Sequence, residues 1–164
     1  MPSARFAAAG DRAAIRTHMT RNVNGTSIID ELIADFGTAA ATTNAQLDAI
    51  LASGKILLGF DDSNVLRGVI YTVKTGEDEW EVSLIGADKR LTDQQRLAAM
   101  NFLLDWLTRN VPAVTAQTNI HGTVKVGGKI DTYMQTRLAE RELSERVGYV
   151  HYQTNVTELQ AATA

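Results

Sequence analysis

Hydrophobic residues recur at helical spacing in the first third of the chain. A short strand is predicted at Ala4–Ala8. Three amphipathic helices are predicted to follow, one from a cap at Asp11 to about Arg21, one over Ser27–Gly37 and one over Asn44–Gly54. Glycines at the ends of the second and third segments support these boundaries. The N-terminal third is therefore predicted to be mainly helical.

From Lys55 onward, apolar positions alternate with polar ones. This period predicts strands at Ile56–Phe60 and Val65–Val73, joined by the polar turn Asp61–Asn64. A third strand is predicted to start at Glu79. The middle of the chain is therefore predicted to be sheet.

The stretch Ser83–Arg109 predicts a strand that enters a long helix through a polar turn at Asp88–Thr92. One side of this helix carries an apolar stripe that is expected to face the sheet, while polar residues point away. The expected inward residues are Leu97, Leu104 and Leu107, and the expected outward residues are Gln94, Asn101 and Arg109. Backbone N–H groups at such a junction can bind an anion, so a ligand site is expected there first.

The remaining segments predict a strand at Val114–Ile120, a helix at Ile130–Arg146 and a closing strand at Tyr149–Val156. A chain of 164 residues with 45% hydrophobic residues is long enough for one domain with a core. We therefore expect a single domain over residues 1–164.

Composition narrows the function classes. A net charge of −3 without a basic run argues against nucleic acid and anionic membranes as partners. The chain has no cysteine, which removes disulfides, thiolate nucleophiles and cysteine-ligated metals. Neither a secretory signal nor an apolar run long enough to span a membrane is present, so we expect the cytoplasm of the producing cell as the location.

Two stretches resemble parts of the Gcn5-related N-acetyltransferase (GNAT) family. ARFAAAGDRAAI at 4–15 resembles the family's opening strand and Asp-capped helix, and LSERVGYVHYQTN at 143–155 resembles its closing helix, Gly-aromatic turn and last strand. The predicted order of elements is similar to the GNAT order over nearly the whole chain. The resemblance implies an α+β fold with a mixed, mostly antiparallel sheet flanked by helices, and it raises acyl transfer from acetyl-CoA as an activity.

Active members of the family carry the pattern R/Q-x-x-G-x-G/A where the fourth strand enters the long helix. The glycines let the backbone approach the coenzyme A diphosphate. In this chain the pattern falls on Arg90, Leu91, Thr92, Asp93, Gln94 and Gln95. Only Arg90 matches, because Asp93 and Gln95 stand at the glycine positions. Thr92 and Gln95 are also spaced for a capping box, in which the helix end satisfies its own N–H groups.

The resemblance also concerns the acid and the base. The family's proton-donating tyrosine on the last helix falls on Ser144, so the expected acid is missing. The family often recruits its base from the fourth strand, which here carries Glu79 and Glu81. Alternation of these residues with Trp80 and Val82 is also typical of a half-exposed strand. If the protein is an enzyme, Glu81 is the expected base.

Other polar residues have ordinary structural explanations. His18, His121 and His151 lack metal-ligand spacing, so no metal site is predicted. The stretch Gly122–Ile130 is one residue off a phosphate loop and lacks its Ser or Thr, which favours a glycine hairpin.

Three tyrosines are candidates for proton donation or for stacking on a ligand, although tyrosine in a strand is chiefly a packing residue. They are Tyr133, Tyr149 and Tyr152. The segment Ala139–Arg146 carries charges of both signs at helical spacing, which indicates a solvated helix face or a partner-binding surface.

Two classes of function are open. In the first and favoured class, the protein is a non-catalytic structural or interaction component without a cofactor. GNAT-like proteins with degenerate coenzyme loops occur among bacteriophage gene products, so a virion component is the concrete hypothesis. Its partners would be virion proteins or a second copy of this chain. In the second class, the protein is an acyl-CoA-dependent N-acetyltransferase in which Arg90 and the amides of Leu91–Gln95 hold acetyl-CoA, with Glu81 or a water as the base.

Overall fold

The computed structural model describes residues 2–18, 44–88, 90–111, 114–138, 140–145 and 147–163. The strands are β1 (Ser3–Phe6), β2 (Ile56–Phe60), β3 (Leu66–Gly76), β4 (Glu79–Ala87), β5 (Asn119–Lys125), β6 (Glu140–Leu143) and β7 (Tyr149–Asn155). The helices are α1 (Arg12–His18), α2 (Asn44–Leu51), α3 (Asp93–Asn110), α4 (Lys129–Met134) and α5 (Val156–Ala162). The predicted helix Ser27–Gly37 and the predicted extension of the first helix to Arg21 lie outside the described residues.

The seven strands belong to one sheet, in the order β1-β2-β3-β4-β5-β7-β6. The pairs β1–β2, β2–β3, β5–β7 and β6–β7 are antiparallel, whereas β4 and β5 are parallel. The predicted α+β class is therefore confirmed, with a mixed, mostly antiparallel sheet flanked by helices. Among the described residues, no helix is both long and apolar enough to cross a membrane.

The chain divides into two compact units. The first comprises Met1–Thr72 and Leu84–Leu103, and the second comprises Val73–Ser83 and Leu104–Ala164. In the first unit, β2 and the adjoining half of β3 are buried on both faces. Such strands read as nearly continuous apolar runs, as this part of the sequence does.

A pair of glycines fits α3 onto these two strands. Gly59 and Gly68 are register partners in β2 and β3. A β-carbon built at either position would lie 2.9 Å from a methyl carbon of Leu103, which is fully buried. That distance is too short for real atoms, so both positions require glycine unless Leu103 moves.

The predicted turn between β2 and β3 is confirmed. The Asp61 carboxylate accepts hydrogen bonds from the backbone N–H groups of Ser63 (2.9 Å) and Val65 (3.0 Å). Asn64 adopts a left-handed conformation with φ 59°. Asp and Asn stabilise turns in these two ways, which explains why the signal was readable in the sequence.

The apolar stripe of α3 lies close to its predicted position. Leu104 and Leu107 are 4% and 0% exposed, as expected, whereas Leu97 is only half-buried. Gln94 and Arg109 are exposed, but Asn101 is half-buried rather than fully outward. The inward face is thus rotated slightly toward Leu103, since the glycine pair admits that side chain.

The predicted strand at Val114–Ile120 is placed too early. The structure has β5 at Asn119–Lys125, and the residues before it form a turn. Thr115 N–H donates to Thr118 Oγ1 at 2.9 Å, and Thr118 N–H donates to the Thr115 carbonyl at 3.0 Å. Val114 is buried although it does not belong to a strand. A buried apolar residue at this position resembles the first residue of a strand in the sequence.

The predicted helix Ile130–Arg146 is correct at its start and wrong beyond Met134. Helix α4 ends at Met134, and Glu140–Leu143 forms β6, which pairs antiparallel with β7. All four residues of β6 are exposed, so its sequence shows no apolar alternation. Charged residues suit an edge strand as well as a helix surface. The charge spacing therefore did not distinguish the two.

The chain ends in a helix that the sequence analysis did not predict. The closing strand β7 ends at Asn155, one residue before the predicted end at Val156, and α5 begins at Val156. The Asn155 side chain accepts a hydrogen bond from Glu158 N–H at 2.8 Å. This cap gives the helix a defined start.

Candidate functional site

The start of α3, in the first unit, is closed by its own side chains. Thr92 N–H donates to Gln95 Oε1 at 3.0 Å, and Gln95 N–H donates to Thr92 Oγ1 at 3.3 Å. The Thr92 carbonyl accepts the first helical hydrogen bond, from Arg96 N–H, at 2.9 Å. The predicted capping box is confirmed. Two of the N–H groups that would otherwise be available to an anion are satisfied within the chain.

Arg90, which matches the family's coenzyme pattern, is directed at an internal carboxylate. Its Nη2 lies 2.9 Å from Asp88 Oδ2, and its backbone N–H donates to Asp88 Oδ1 at 2.9 Å. Arg67 approaches the same carboxylate, with Nη1 2.6 Å from Oδ2. The Asp88 side chain is 0% exposed, while those of Arg67 and Arg90 are 28% and 53% exposed. No local sequence signal indicates the contact between Asp88 and Arg67, because Arg67 lies on β3, 21 residues before Asp88.

The electrostatics of Asp88 follow from these contacts. Burial raises the pKa of its carboxyl group. Hydrogen bonds from the Arg90 side chain, the Arg90 backbone and Arg67 outweigh that effect and lower the pKa to about 2. Asp88 is therefore an anion at neutral pH, and it neutralises part of the positive charge that a bound diphosphate would need.

The other residues of the predicted coenzyme pattern lie on the surface or beside a cavity. Asp93 is 56% exposed and lies 3.8 Å from the Arg96 guanidinium group, and Gln94 is exposed. Leu91 and Gln95 line an open cavity of about 350 Å³ in the first unit, together with mainly apolar and small residues.

The cationic side chain of this cavity is Arg67. It is paired with two carboxylates, since its Nε lies 2.7 Å from Asp61 Oδ2 in addition to the contact with Asp88. The cavity is thus better suited to an apolar group than to a phosphate.

Glu81, the expected base, lies on β4 in the second unit and is half-buried. Its register partner in the parallel strand β5 is His121. Register partners point to the same face of a sheet, so a carboxylate and an imidazole are neighbours there. Glu79 is more exposed and is the register partner of Asn119.

Ser144 does not hold the position that the resemblance assigned to it. It lies between β6 and β7, where its N–H donates to the Tyr149 carbonyl at 3.1 Å. The assignment assumed a helix through Arg146, which the structure does not have. Helix α4 carries a different tyrosine, Tyr133, which is half-buried. The Arg137 guanidinium carbon lies 3.6 Å from the centre of the Tyr133 ring.

Tyr152 belongs to a structural cluster. Its hydroxyl donates to Asp131 Oδ1 at 2.5 Å, and Arg141 Nη2 lies 2.8 Å from Asp131 Oδ2. Burial, followed by the hydrogen bond to Asp131, raises the pKa of Tyr152 to about 12. The hydrogen bond from Arg141 is the main cause that holds the pKa of the buried Asp131 well below its usual range. The cluster ties β6 and β7 to α4, so it explains Tyr152 without catalysis.

The glycines of the Gly122–Ile130 stretch do not form the predicted hairpin. Gly122 lies within β5, where a β-carbon would be 3.1 Å from the Val82 carbonyl oxygen. Gly127 has φ 72° and lies in the turn that connects β5 with α4 rather than with another strand.

Of the three histidines, the structure brings two together. His121 on β5 and His151 on β7 have ring centres 5.4 Å apart, whereas His18 belongs to α1. Within the described part of the chain, no three or more His, Cys, Asp or Glu residues are grouped so that they could hold a metal ion.

The strand order and the helix positions define the class of fold, which is that of the GNAT acetyltransferases. No protein-family profile matches the sequence, and no curated protein matches it. Solved structures do match along almost the whole chain.

One similar structure is a GNAT-family acetyltransferase from Bacillus cereus, with 15% identity, 94% of this chain and 97% of that chain covered, and a TM-score of 0.58. A variant of the spermidine N-acetyltransferase SpeG from Vibrio cholerae has 13% identity, coverages of 96% and 95%, and a TM-score of 0.60. The diaminobutyrate acetyltransferase EctA from Paenibacillus lautus, in complex with its substrate and coenzyme A, has 12% identity, coverages of 94% and 95%, and a TM-score of 0.57.

Proposed function

We propose that this chain uses the GNAT fold without coenzyme A, as a non-catalytic structural or interaction component. The observation that carries the proposal is the reciprocal pair of hydrogen bonds between Thr92 and Gln95 at the start of α3. This is the position at which the family's glycine loop would receive the diphosphate. Arg90 supports the same conclusion, because its hydrogen bonds go to Asp88.

Several features of this helix end oppose the binding of a diphosphate. The side chain of Gln95 stands where the family has a glycine, and its amide would have to leave the cap. A charge at 5 Å from the Asp93 carboxylate meets a repulsion of about 3 kcal/mol at an effective dielectric constant of about 20. Solvent and Arg96 reduce that figure, since Asp93 is 56% exposed. Steric closure is therefore the stronger argument.

Acetyl-CoA binding is the direct test. We expect no measurable heat when the protein is titrated with acetyl-CoA at low salt, and no thermal stabilisation at millimolar ligand. A site with a Kd of about 1 mM would already add about 0.4 kcal/mol at 1 mM ligand, which corresponds to roughly 1 °C. Tight binding by the unaltered protein would overturn the proposal.

Two variants make a negative result informative. The double substitution Asp93→Gly and Gln95→Gly opens the helix end and should gain weak acetyl-CoA binding, at a cost of roughly 0.5–2 kcal/mol in stability from the lost cap. Thr92→Ala is the matched control, because it removes the cap without opening the backbone. Binding gained by both variants alike would mean that the cap, and not the bulk of the side chains, excludes the ligand.

Exposed hydrophobic residues support an interaction role. Leu143 and Val147 are 82% and 95% exposed, and Val126 is 44% exposed. Val126 N–H donates to the Gly148 carbonyl at 3.0 Å, which places it beside the turn between β6 and β7. Large apolar side chains gathered at one turn are a feature of contact surfaces.

The finer proposal is that the chain is a component of a bacteriophage virion. Its support is an association, since GNAT-like proteins with degenerate coenzyme loops occur among bacteriophage gene products. Mass spectrometry of purified particles should find the chain at a fixed ratio to the capsid proteins. Its absence from washed particles would count against the virion and leave a soluble interaction partner.

N-acetyl transfer is the second candidate. The observation that favours it is the half-buried Glu81 beside His121, on the strand from which the family often takes its base. If acetyl transfer to an amine is detected, Glu81→Gln should lower kcat/KM by about 10²- to 10⁴-fold. Glu79→Gln, two residues away on the same strand, is the matched control and should have little effect.

A further inference from the structure

A polar chain of side chains crosses one face of the sheet in the second unit. It joins Thr75 on β3, His121 on β5, His151 on β7 and Glu142 on β6 in that order, and β4 lies between β3 and β5 in the sheet. His121 is the register partner of Gln153, and His151 is the register partner of Thr123. The two imidazoles are therefore diagonal neighbours on the same face, which is within reach for long side chains.

Each histidine has one ring nitrogen next to a polar side chain and one that faces the other ring. His121 Nε2 lies 3.1 Å from Thr75 Oγ1, and His151 Nδ1 lies 3.6 Å from Glu142 Oε1. The remaining nitrogens, His121 Nδ1 and His151 Nε2, are 3.4 Å apart. Histidines that ligate metals show the same division of roles, with one nitrogen on the metal and the other held by a carboxylate or hydroxyl group.

The distance between the facing nitrogens fits a shared ion. Two imidazole nitrogens at about 2.05 Å from a tetrahedral metal are about 3.3 to 3.4 Å apart. The observed 3.4 Å is longer than the usual hydrogen bond from N–H to nitrogen or oxygen. The pair is thus spaced for an ion at least as well as for a direct hydrogen bond.

The tautomers lead to the same result. When the proton of neutral His151 is on Nδ1, which faces Glu142 at 3.6 Å, His151 Nε2 carries a bare lone pair. When the Thr75 hydroxyl accepts from His121 Nε2, His121 Nδ1 also carries a bare lone pair, and the two lone pairs repel unless a cation lies between them. A change of the Thr75 hydroxyl from donor to acceptor therefore converts the pair from a hydrogen bond to a chelate without any net change in protonation.

We propose that His121 and His151 form a two-histidine site for a divalent first-row transition metal, with Glu142 and Thr75 as positioning residues. Imidazole nitrogen suits Zn²⁺, Cu²⁺ and Ni²⁺. The protein supplies two ligands, and water or a group from a bound molecule completes the coordination. Both rings are half-buried, so the ion can enter from solvent without unfolding.

The test is a titration of tag-free protein with Zn²⁺ by calorimetry, and with Co²⁺ by visible absorption, which reports tetrahedral coordination. We expect one site per chain. His121→Ala and His151→Ala should each weaken Zn²⁺ binding about a hundredfold or more, and Glu142→Gln should weaken it about tenfold. His18→Ala removes the chain's third histidine and should leave binding unchanged, which makes it the matched control.

Circular dichroism of each variant checks that the fold is retained, which we expect because neither ring belongs to the fully buried core. Equal Zn²⁺ affinity in the unaltered protein and in a folded His121→Ala, His151→Ala double variant would overturn the proposal. Absence of binding at millimolar Zn²⁺, or loss of binding in His18→Ala alone, would do the same.

Discussion

Asp88 is fully buried and charged, and its contacts with two arginines make it one of the groups through which acid lowers stability. Folding lowers the pKa of its carboxyl group from 3.8 to about 2. A group whose pKa is depressed in the folded state stabilises the protein above its unfolded pKa, and that contribution is lost as the pH falls toward the folded pKa. We expect Asp88 to contribute up to about 2 kcal/mol that disappears between pH 4 and pH 2.

Urea unfolding between pH 7 and pH 2 measures this contribution. Asp88→Asn cannot titrate, so its unfolding free energy should fall less steeply than that of the unaltered protein between pH 4 and pH 2. Arg90→Gln keeps the backbone N–H but removes the guanidinium group, so it should raise the pKa of Asp88 and start the acid loss at a higher pH. Parallel curves for all three proteins would show that the Asp88 contacts contribute nothing to acid stability.

At the scale of single residues, local pairs were predictable and distant ones were not. The Thr92–Gln95 cap joins residues three apart, and their types specify its geometry. The contact between Arg67 and Asp88 and that between His121 and His151 join residues 21 and 30 apart. These contacts depend on the register of strands, which residue spacing does not encode.

At the scale of elements, α3 gives the clearest test of packing. Leu104 is 4% exposed, so Leu104→Ala should lower the free energy of unfolding by about 2–5 kcal/mol through lost burial and a cavity. Gln94→Ala, at an exposed position of the same helix, is the matched control and should change stability by less than about 0.5 kcal/mol. Equal effects of the two substitutions in denaturant unfolding would mean that the assigned face is wrong.

Strong periodic elements were recovered from the sequence, whereas the edge strand β6 and the C-terminal helix α5 were not. β6 has no apolar alternation because all its residues are exposed, and its charges resemble a helix surface. Helix α5 did have a readable signal, since Asn155 and Glu158 stand three apart as in a capping box. The residues after Gln160 are Ala and Thr and carry no apolar stripe that would predict a helix.

At the scale of the whole molecule, the order of helices and strands was sufficient to predict the fold, although β6 and α5 were missed, β5 was misplaced and α4 was predicted too long. Omission of β6 left the succession of β4, α3, β5 and β7 intact, and that succession contains the parallel pair β4–β5. A parallel pair needs a long crossover connection, and the 18-residue α3 with its apolar stripe could be read as that crossover. Function was less predictable, because the order of elements specifies the fold and not the chemistry of the site.

Association through the edge strand β6 is the last prediction. A second copy that pairs with β6 about a two-fold axis places residues of the same face opposite one another. Registers centred on Arg141 or Glu142 oppose like charges, whereas a register centred on Leu143, the last residue of β6, places Leu143 opposite itself. An edge of four residues buries less than the roughly 1,000 Å² of a stable interface. We therefore expect a weak dimer that sedimentation velocity detects only at high protein concentration.

Leu143→Lys should abolish this dimer without a change in thermal midpoint, since Leu143 is 82% exposed. Thr157→Lys, at an exposed position on α5, is the control and should leave the dimer unchanged. A dimer that persists in Leu143→Lys would place the contact on another surface, and a monomer at every concentration would contradict a second copy as the partner.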